Sequence, residues 1–393
     1  MISAAAWLVS RTAAVFPDRF VRTFLPKRFR YRDEDVPPPP SSPGNEVRLY
    51  VGPVNWAGQG WQWARAAERN LSDVGAVSMA YHLGNEFGHA VDQSVPVGAY
   101  VASRGWQRAQ REAVLSGFSH VLVEAERHPF GRVFDQTVAF QIRDVLSHGL
   151  SVAMVCHGTD IRLPSRNAAG NEYSPFRAGL LPSTPALEKA AIRNRALLDE
   201  LGLPVFVSTP DLLLDVPYAR WLPVVVDVKR WAMDSVPLER TIPVVVHAPS
   251  NSISKGSDLI DPIMTALDEE GIVSYRRLGN IPADQMSDAY RAADIVLDQF
   301  RLGDYGVAAV EGMSAGRVVI SNVSATSRAH VRESSGRELP IVQATARELD
   351  AIVRDVVSRR EHFQTQAVAG PSFAATVHDG RQSARVLAEF LGR

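Results

Sequence analysis

Two stretches of this 393-residue chain carry side chains suited to holding a phosphorylated ligand. In HAPSNSISKGSDLI, residues 247–260, an apolar run ends at His247, a small polar loop with Asn251 and Ser252 comes next, and Lys255-Gly256 opens a helix. Amides at a helix start and a lysine ammonium both favour phosphate. A solvated surface lysine is the plain alternative. In ADIVLDQFRLGDYGVAAVEGMSAG, residues 293–316, a strand ends in Asp298-Gln299, a loop carries Gly303, Tyr305 and Gly306, and a helix of small residues begins near Gly306-Val307. Glu311 stands about a turn and a half into that helix. At the helical rise its carboxylate lies about 7 Å along the axis, where the ribose of a nucleoside diphosphate falls when phosphate sits at the helix start. A carboxylate's acceptors match a vicinal diol, so Glu311 is expected to hold a sugar's hydroxyls; a helix-entry acid favoured by the macrodipole is the alternative.

Two more loops gather polar groups at strand ends. GPVNWAGQGW, residues 52–61, succeeds the first strand with Gly52, Gly58 and Gly60, which let a ligand approach backbone, although the GxGxxG spacing is missing. His157-Gly158-Thr159-Asp160-Ile161-Arg162 comes directly after the buried run SVAMVC; its histidine either caps strand-end carbonyls or touches a ligand. Glu124 and Glu126, ending another strand beside Arg127 and His128, either face an acceptor or form a salt-linked loop. His82, His89, His120 and His128 have no zinc-type spacing, and neither HExxH nor CxxC occurs, so no metal and no cofactor are expected. A GxSxG elbow is also missing, which argues against Ser-His-Asp hydrolysis.

These loops need a frame that brings strand ends together. From Glu46 onward, short β-rich runs alternate with helical stretches, which means parallel sheets with crossover helices. The alternation pauses over 215–231 and restarts at IPVVVHAP, giving two doubly wound units over 46–228 and 229–375, with a helix over 376–393 packing back on the first. Ligands in such sheets bind beyond the carboxyl ends of the strands. The net charge of −1 gives no field that would recruit nucleic acid, and the single cysteine, Cys156, fits a reducing compartment. No apolar run approaches the length of a membrane span. Residues 1–45 are a distinct extension: up to Arg32 there are seven Lys or Arg against one acid, Asp18. Phe16, Phe20 and Phe24 recur there every fourth residue, and PPPPSSPG then forms an extended linker. A helix docked on its own protein and peripheral membrane contact through residues 1–32 are both open, with a transit peptide as a third reading.

The run from LGN at 278 through Ile320, with Lys255-Gly256, resembles the donor-binding half of a GT-B glycosyltransferase, most similar to retaining glycosyltransferase family 4; the resemblance covers about residues 47–375. It implies two Rossmann-like domains facing across a cleft and transfer of a sugar from a nucleoside-diphosphate sugar to a hydroxyl of a glycan, glycolipid or cell-envelope polymer, with retention and without metal. It further implies that Glu311 binds ribose and Lys255 the diphosphate, with Asn251, Ser252, Gly303, Tyr305, Gly306, Val307 and Gly58 at the donor. His157 would lie beside the transferred sugar, and Gln59, Asp160, Arg162 and Glu124 on the acceptor side. The family pattern has two acids separated by seven residues; Gly303 stands where the first would be, and the arginine that accompanies the lysine is replaced by Asn251 and Ser252. A non-catalytic nucleotide-sugar binder, a sugar-nucleotide epimerase of the same fold and a periplasmic-type binding protein are the rivals. The enzyme is expected in the cytoplasm, at the inner face of a membrane, with acceptor and oligomeric state left open.

Overall fold

The computed structural model describes Asp18 and residues 25–393, apart from 84–87, 133–135, 178, 280 and 283–284. Two compact units emerge from the contacts within it. One comprises the described residues up to Asp160 with Asn194–Phe206 and Ala384–Arg393; the other comprises those of Ile161–Arg193 and Val207–Ser383.

The first sheet contains β1 (Val47–Gly52), β2 (Val74–His82), β3 (Gln93–Pro96), β4 (His120–Glu124), β5 (Ser151–Cys156), β6 (Val205–Val207) and β7 (Arg220–Trp221), in the order β3-β2-β1-β4-β5-β6-β7. The pairings β3-β2, β2-β1, β1-β4 and β4-β5 are parallel. Strands such as VRLYVG and SVAMVC are buried almost throughout, as expected where helices cover both faces of a parallel sheet. The order reverses between β1 and β4, which makes the carboxyl ends of these two strands a topological switch point.

The second sheet contains β8 (Val244–His247), β9 (Ser274–Arg277), β10 (Ile295–Leu297), β11 (Val318–Ser321) and β12 (Val342–Gln343), in the order β12-β11-β10-β8-β9. All four pairings are parallel. Its core joins Val245, Leu297 and Ile320 of the strands to Ile260, Met264 and Leu267 of the helix Ser257–Glu269. Here the order reverses between β8 and β10, and Leu297 pairs with His247, so the residues after both strands emerge side by side.

Phe16, Phe20 and Phe24 of the amphipathic pattern lie outside the described residues. The segment from Leu25 to Pro38 is docked on the first unit: Leu25 and Phe29 are buried, and Pro38 carbonyl oxygen accepts from Gln93 Nε2 at 2.6 Å. Asp18 accepts from the amides of Arg104 and Gly105 and from Ser103 Oγ, capping the helix Arg104–Gly117. The start of the proline run is therefore fixed against the unit. At the other end of the chain Arg393 pairs with Glu46 at 2.6 Å. Among the described residues no helix is long and apolar enough to cross a membrane.

Candidate functional site

At the switch point of the second sheet, the loop after β8 leads through the short helix Ser252–Lys255, and the loop after β10 leads to the eight-residue helix Val307–Ser314. Lys255 and Gly306 thereby meet around one side chain. Asp298, wholly buried, pairs through Oδ1 with Lys255 Nζ at 2.5 Å and accepts through Oδ2 from the Gly306 amide at 2.9 Å. Lys255 keeps a fraction of its side chain, 15%, in contact with solvent. Beneath them His247 bridges Leu297 carbonyl oxygen (3.0 Å) and Ser257 Oγ (2.9 Å), locking the end of β8 to its neighbour strand and to the helix that begins at Ser257. Glu311 lies in this environment: burial pushes its carboxyl up to about 8, opposed by the positive charge of Arg230 and reinforced by Asp298. At pH 7 it is therefore mostly the neutral acid, able to donate one hydrogen bond and accept others.

Two arginines at this site come from elements that motif reading passed over. Arg230 belongs to the turn of helix Val228–Trp231, capped by Asp227 through the amides of Lys229 and Arg230. Arg277 ends edge strand β9; it donates to Ser252 Oγ at 2.8 Å and pairs with Asp261 at 2.5 Å. Their signals in the sequence are only a basic pair within the pause at 215–231 and the Arg-Arg of YRRLGN. Gly303 has φ +83° and pairs with Val323 in an isolated bridge. A side chain there is strained, so the place of the family's first acid is held by a backbone conformation that favours glycine.

At the switch point of the first sheet, Glu124 ends β4 with no exposure and accepts from the amides of Val54 (3.1 Å) and Asn55 (3.0 Å), while its other oxygen meets His157 Nε2 at 3.1 Å. The loop it pins has three left-handed residues in a stretch of four: Asn55 (φ 49°), Ala57 (φ 51°) and Gly58 (φ 73°). The His157 ring lies 5.3 Å from Trp56 and from Trp63. Trp63 is buried, whereas Trp56 is 38% exposed. Asp160 accepts from the amides of His157 (2.8 Å) and Gly158 (2.5 Å), which fixes the turn after β5. Nearby, Glu126, Cys156 and Asp160 bring ligand-type atoms within 4.8 Å of one another. Burial and Asp160 push Glu126 well up, and it is bonded by Cys156 Sγ and Asn194 Nδ2.

Several expected roles change in the folded chain. Arg162 is buried and pairs with Asp211 at 2.7 Å; Asp211's amide donates to Asp304, so the guanidinium belongs to a structural network and not to an acceptor surface. In that network burial raises Asp304, with Asp211 adding to it, while Asp211 is held below the usual range by Arg162 against the effect of burial. Tyr305 points into the core, its hydroxyl 3.2 Å from His378 Nε2, leaving its backbone alone near the helix start. Glu124 is a buried frame for the loop and His157, with no face for an acceptor. Gln59 is buried and its amide donates to Ala57 carbonyl oxygen. Asn251 caps its helix through the Ser254 amide, and the Gly306 amide already has Asp298 as its acceptor. Val307, partly exposed, opens the helix.

No protein-family profile matches the chain, and no curated protein sequence matches it. Solved structures do. Sucrose-phosphate synthase from Thermosynechococcus elongatus superposes with a TM-score of 0.58 at 11% identity over 88% of this chain and 98% of that one. HepE from Anabaena, in complex with UDP and glucose, gives 0.57 at 13% identity, covering 88% and 99%. The catalytic domain of starch synthase IV from Arabidopsis thaliana, bound to ADP and acarbose, gives 0.55 at 11% identity, covering 89% and 99%. The two parallel sheets and their strand orders, together with these likenesses, identify the fold as that of the GT-B glycosyltransferases.

Proposed function

We propose that the protein is a glycosyltransferase that moves a sugar from a nucleoside-diphosphate sugar to a hydroxyl acceptor, with retention and without a metal. The observation that carries this reading is the convergence, at the switch point of the second sheet, of the Lys255 ammonium with the amino end of the helix that bears Glu311. HepE and starch synthase IV, with the same fold, were solved with UDP and with ADP. In this reading Lys255, with Arg277 and Arg230 in place of the missing loop arginine, stabilises the charge that develops on the departing diphosphate. Glu311, neutral at pH 7, donates to one ribose oxygen and accepts from another. In the first unit, His157, held by Glu124, is assigned to a hydroxyl of the transferred sugar, and the exposed Trp56 to the apolar face of a sugar ring. The acceptor is assigned only by class, as a glycan or lipid-linked polymer.

Gly303 favours one second reading, a binder of the same ligand that does not turn it over. A thermal-shift panel of UDP-, GDP-, ADP- and dTDP-sugars tests ligand binding, because a ligand that binds the native state raises its melting temperature. One base is expected to stand out by several degrees at about 100-fold excess over Kd. No shift with any member contradicts both readings; a shift without transfer or hydrolysis of the stabilising donor supports the second.

A further inference from the structure

The phosphate seat assigned above already holds an anion that is part of the chain. Asp298 offers two oxygens to two donors from different elements, the ammonium of Lys255 and the amide of Gly306, the N-cap of the helix Val307–Ser314, which is the pattern a phosphate would use. The fit is close. A Cβ built on Gly306 would lie 3.1 Å from Lys255 Nζ and 3.8 Å from Asp298 Oδ1. The Gly306 amide has a single hydrogen, and Asp298 accepts it, so an incoming phosphate competes with Asp298 for that donor.

We propose that Asp298 is a resident anion of the phosphate seat: it holds Lys255 and the helix start in place when the seat is empty, and an incoming phosphate must displace it or bind against its charge. The proposal rests on the nucleotide reading of this site and adds what sets its affinity. Two positive groups face Asp298 or its neighbour Glu311, namely Lys255 and Arg230, while Glu311 itself is mostly neutral at pH 7. With Lys255 matched internally, a diphosphate finds less unopposed positive charge than the lysine alone suggests. The consequence is faster release of the nucleoside diphosphate left after transfer, at some cost in affinity for the donor.

Asp298→Asn keeps the shape and removes the charge. Calorimetric titration with UDP, GDP and ADP, with uridine, guanosine and adenosine as phosphate-free controls, is expected to show the preferred diphosphate binding about tenfold tighter to the variant, the scale of one nearby unit charge. Stopped-flow dissociation is expected to slow to match, with the nucleoside unchanged. Asp298→Ser, whose shorter neutral side chain leaves the seat open, is expected to shift affinity the same way and serves if the asparagine variant folds poorly. Binding that weakens or stays the same in both variants, while the wild type binds, overturns the resident-anion role and leaves the nucleotide reading standing. No diphosphate binding by the wild type or either variant overturns both.

Discussion

The two switch points occupy equivalent places in their sheets, yet they use a buried carboxylate in opposite ways. In the first, Glu124 is matched by two backbone amides and a histidine, and the product is a fixed loop that presents Trp56 and His157. In the second, Asp298 is matched by a lysine and one amide, and the product is a compact charge cluster with Glu311 beside it. The same topology thus yields a rigid polar frame in one unit and a compact charge cluster in the other. In such sheets strand order decides where a ligand meets the sheet, and the residue at or just past each strand's carboxyl end decides which groups stand there.

The contrast is broken or sharpened by substitution. Glu124→Ala leaves two buried amides without acceptors and is expected to lower stability by about 3 kcal/mol, read as a shift in the urea midpoint. A change in nucleotide affinity without that loss would break the contrast, because Glu124 would then act on ligand and not as a frame. Lys255→Ala is expected to weaken nucleotide binding by about 1.5–3 kcal/mol in calorimetry, the range for hydrogen bonds to charged groups, and unchanged affinity would misplace the seat.

A subtler effect comes from Glu311. Its native pKa of about 8 lies above the ordinary 4.5. Between those values the native chain holds a proton that the unfolded chain has released, so this group's stabilising contribution is complete below 4.5 and falls as pH rises through about 8. Glu311→Gln removes the titration, and its melting temperature is expected to decline less than that of the wild type between about pH 5 and 8. Parallel profiles would show that Glu311 titrates normally. The smallest expected effect is that of Gly303→Glu, which puts a side chain at φ +83° and is expected to cost about 1 kcal/mol of stability, read from the urea midpoint.

The frame was legible because parallel strands are short apolar runs separated by crossovers, and chemistry at their carboxyl ends follows from that topology alone. Lys255, Gly306 and Glu311 could be grouped in this way. The partners that define their state could not: Asp298 meets Lys255 across 43 residues, and Arg277 reaches Ser252 across 25. Arg162, five residues from His157, looked like part of the same site, but its partner Asp211 lies 49 residues on and takes it into a buried network. Spacing places backbone reliably, whereas side-chain charge is settled by which distant element arrives. Tyr305 shows the same limit on a smaller scale, since only the fold reveals that His378 waits for its hydroxyl.

A crystal structure of the protein with the nucleoside-diphosphate sugar that stabilises it most tests the central claim directly. The diphosphate is expected at the amino end of helix Val307–Ser314, within hydrogen-bond reach of Lys255 Nζ, with the ribose at Glu311. A diphosphate bound elsewhere, with the Lys255–Asp298 pair undisturbed and distant from it, would contradict the account.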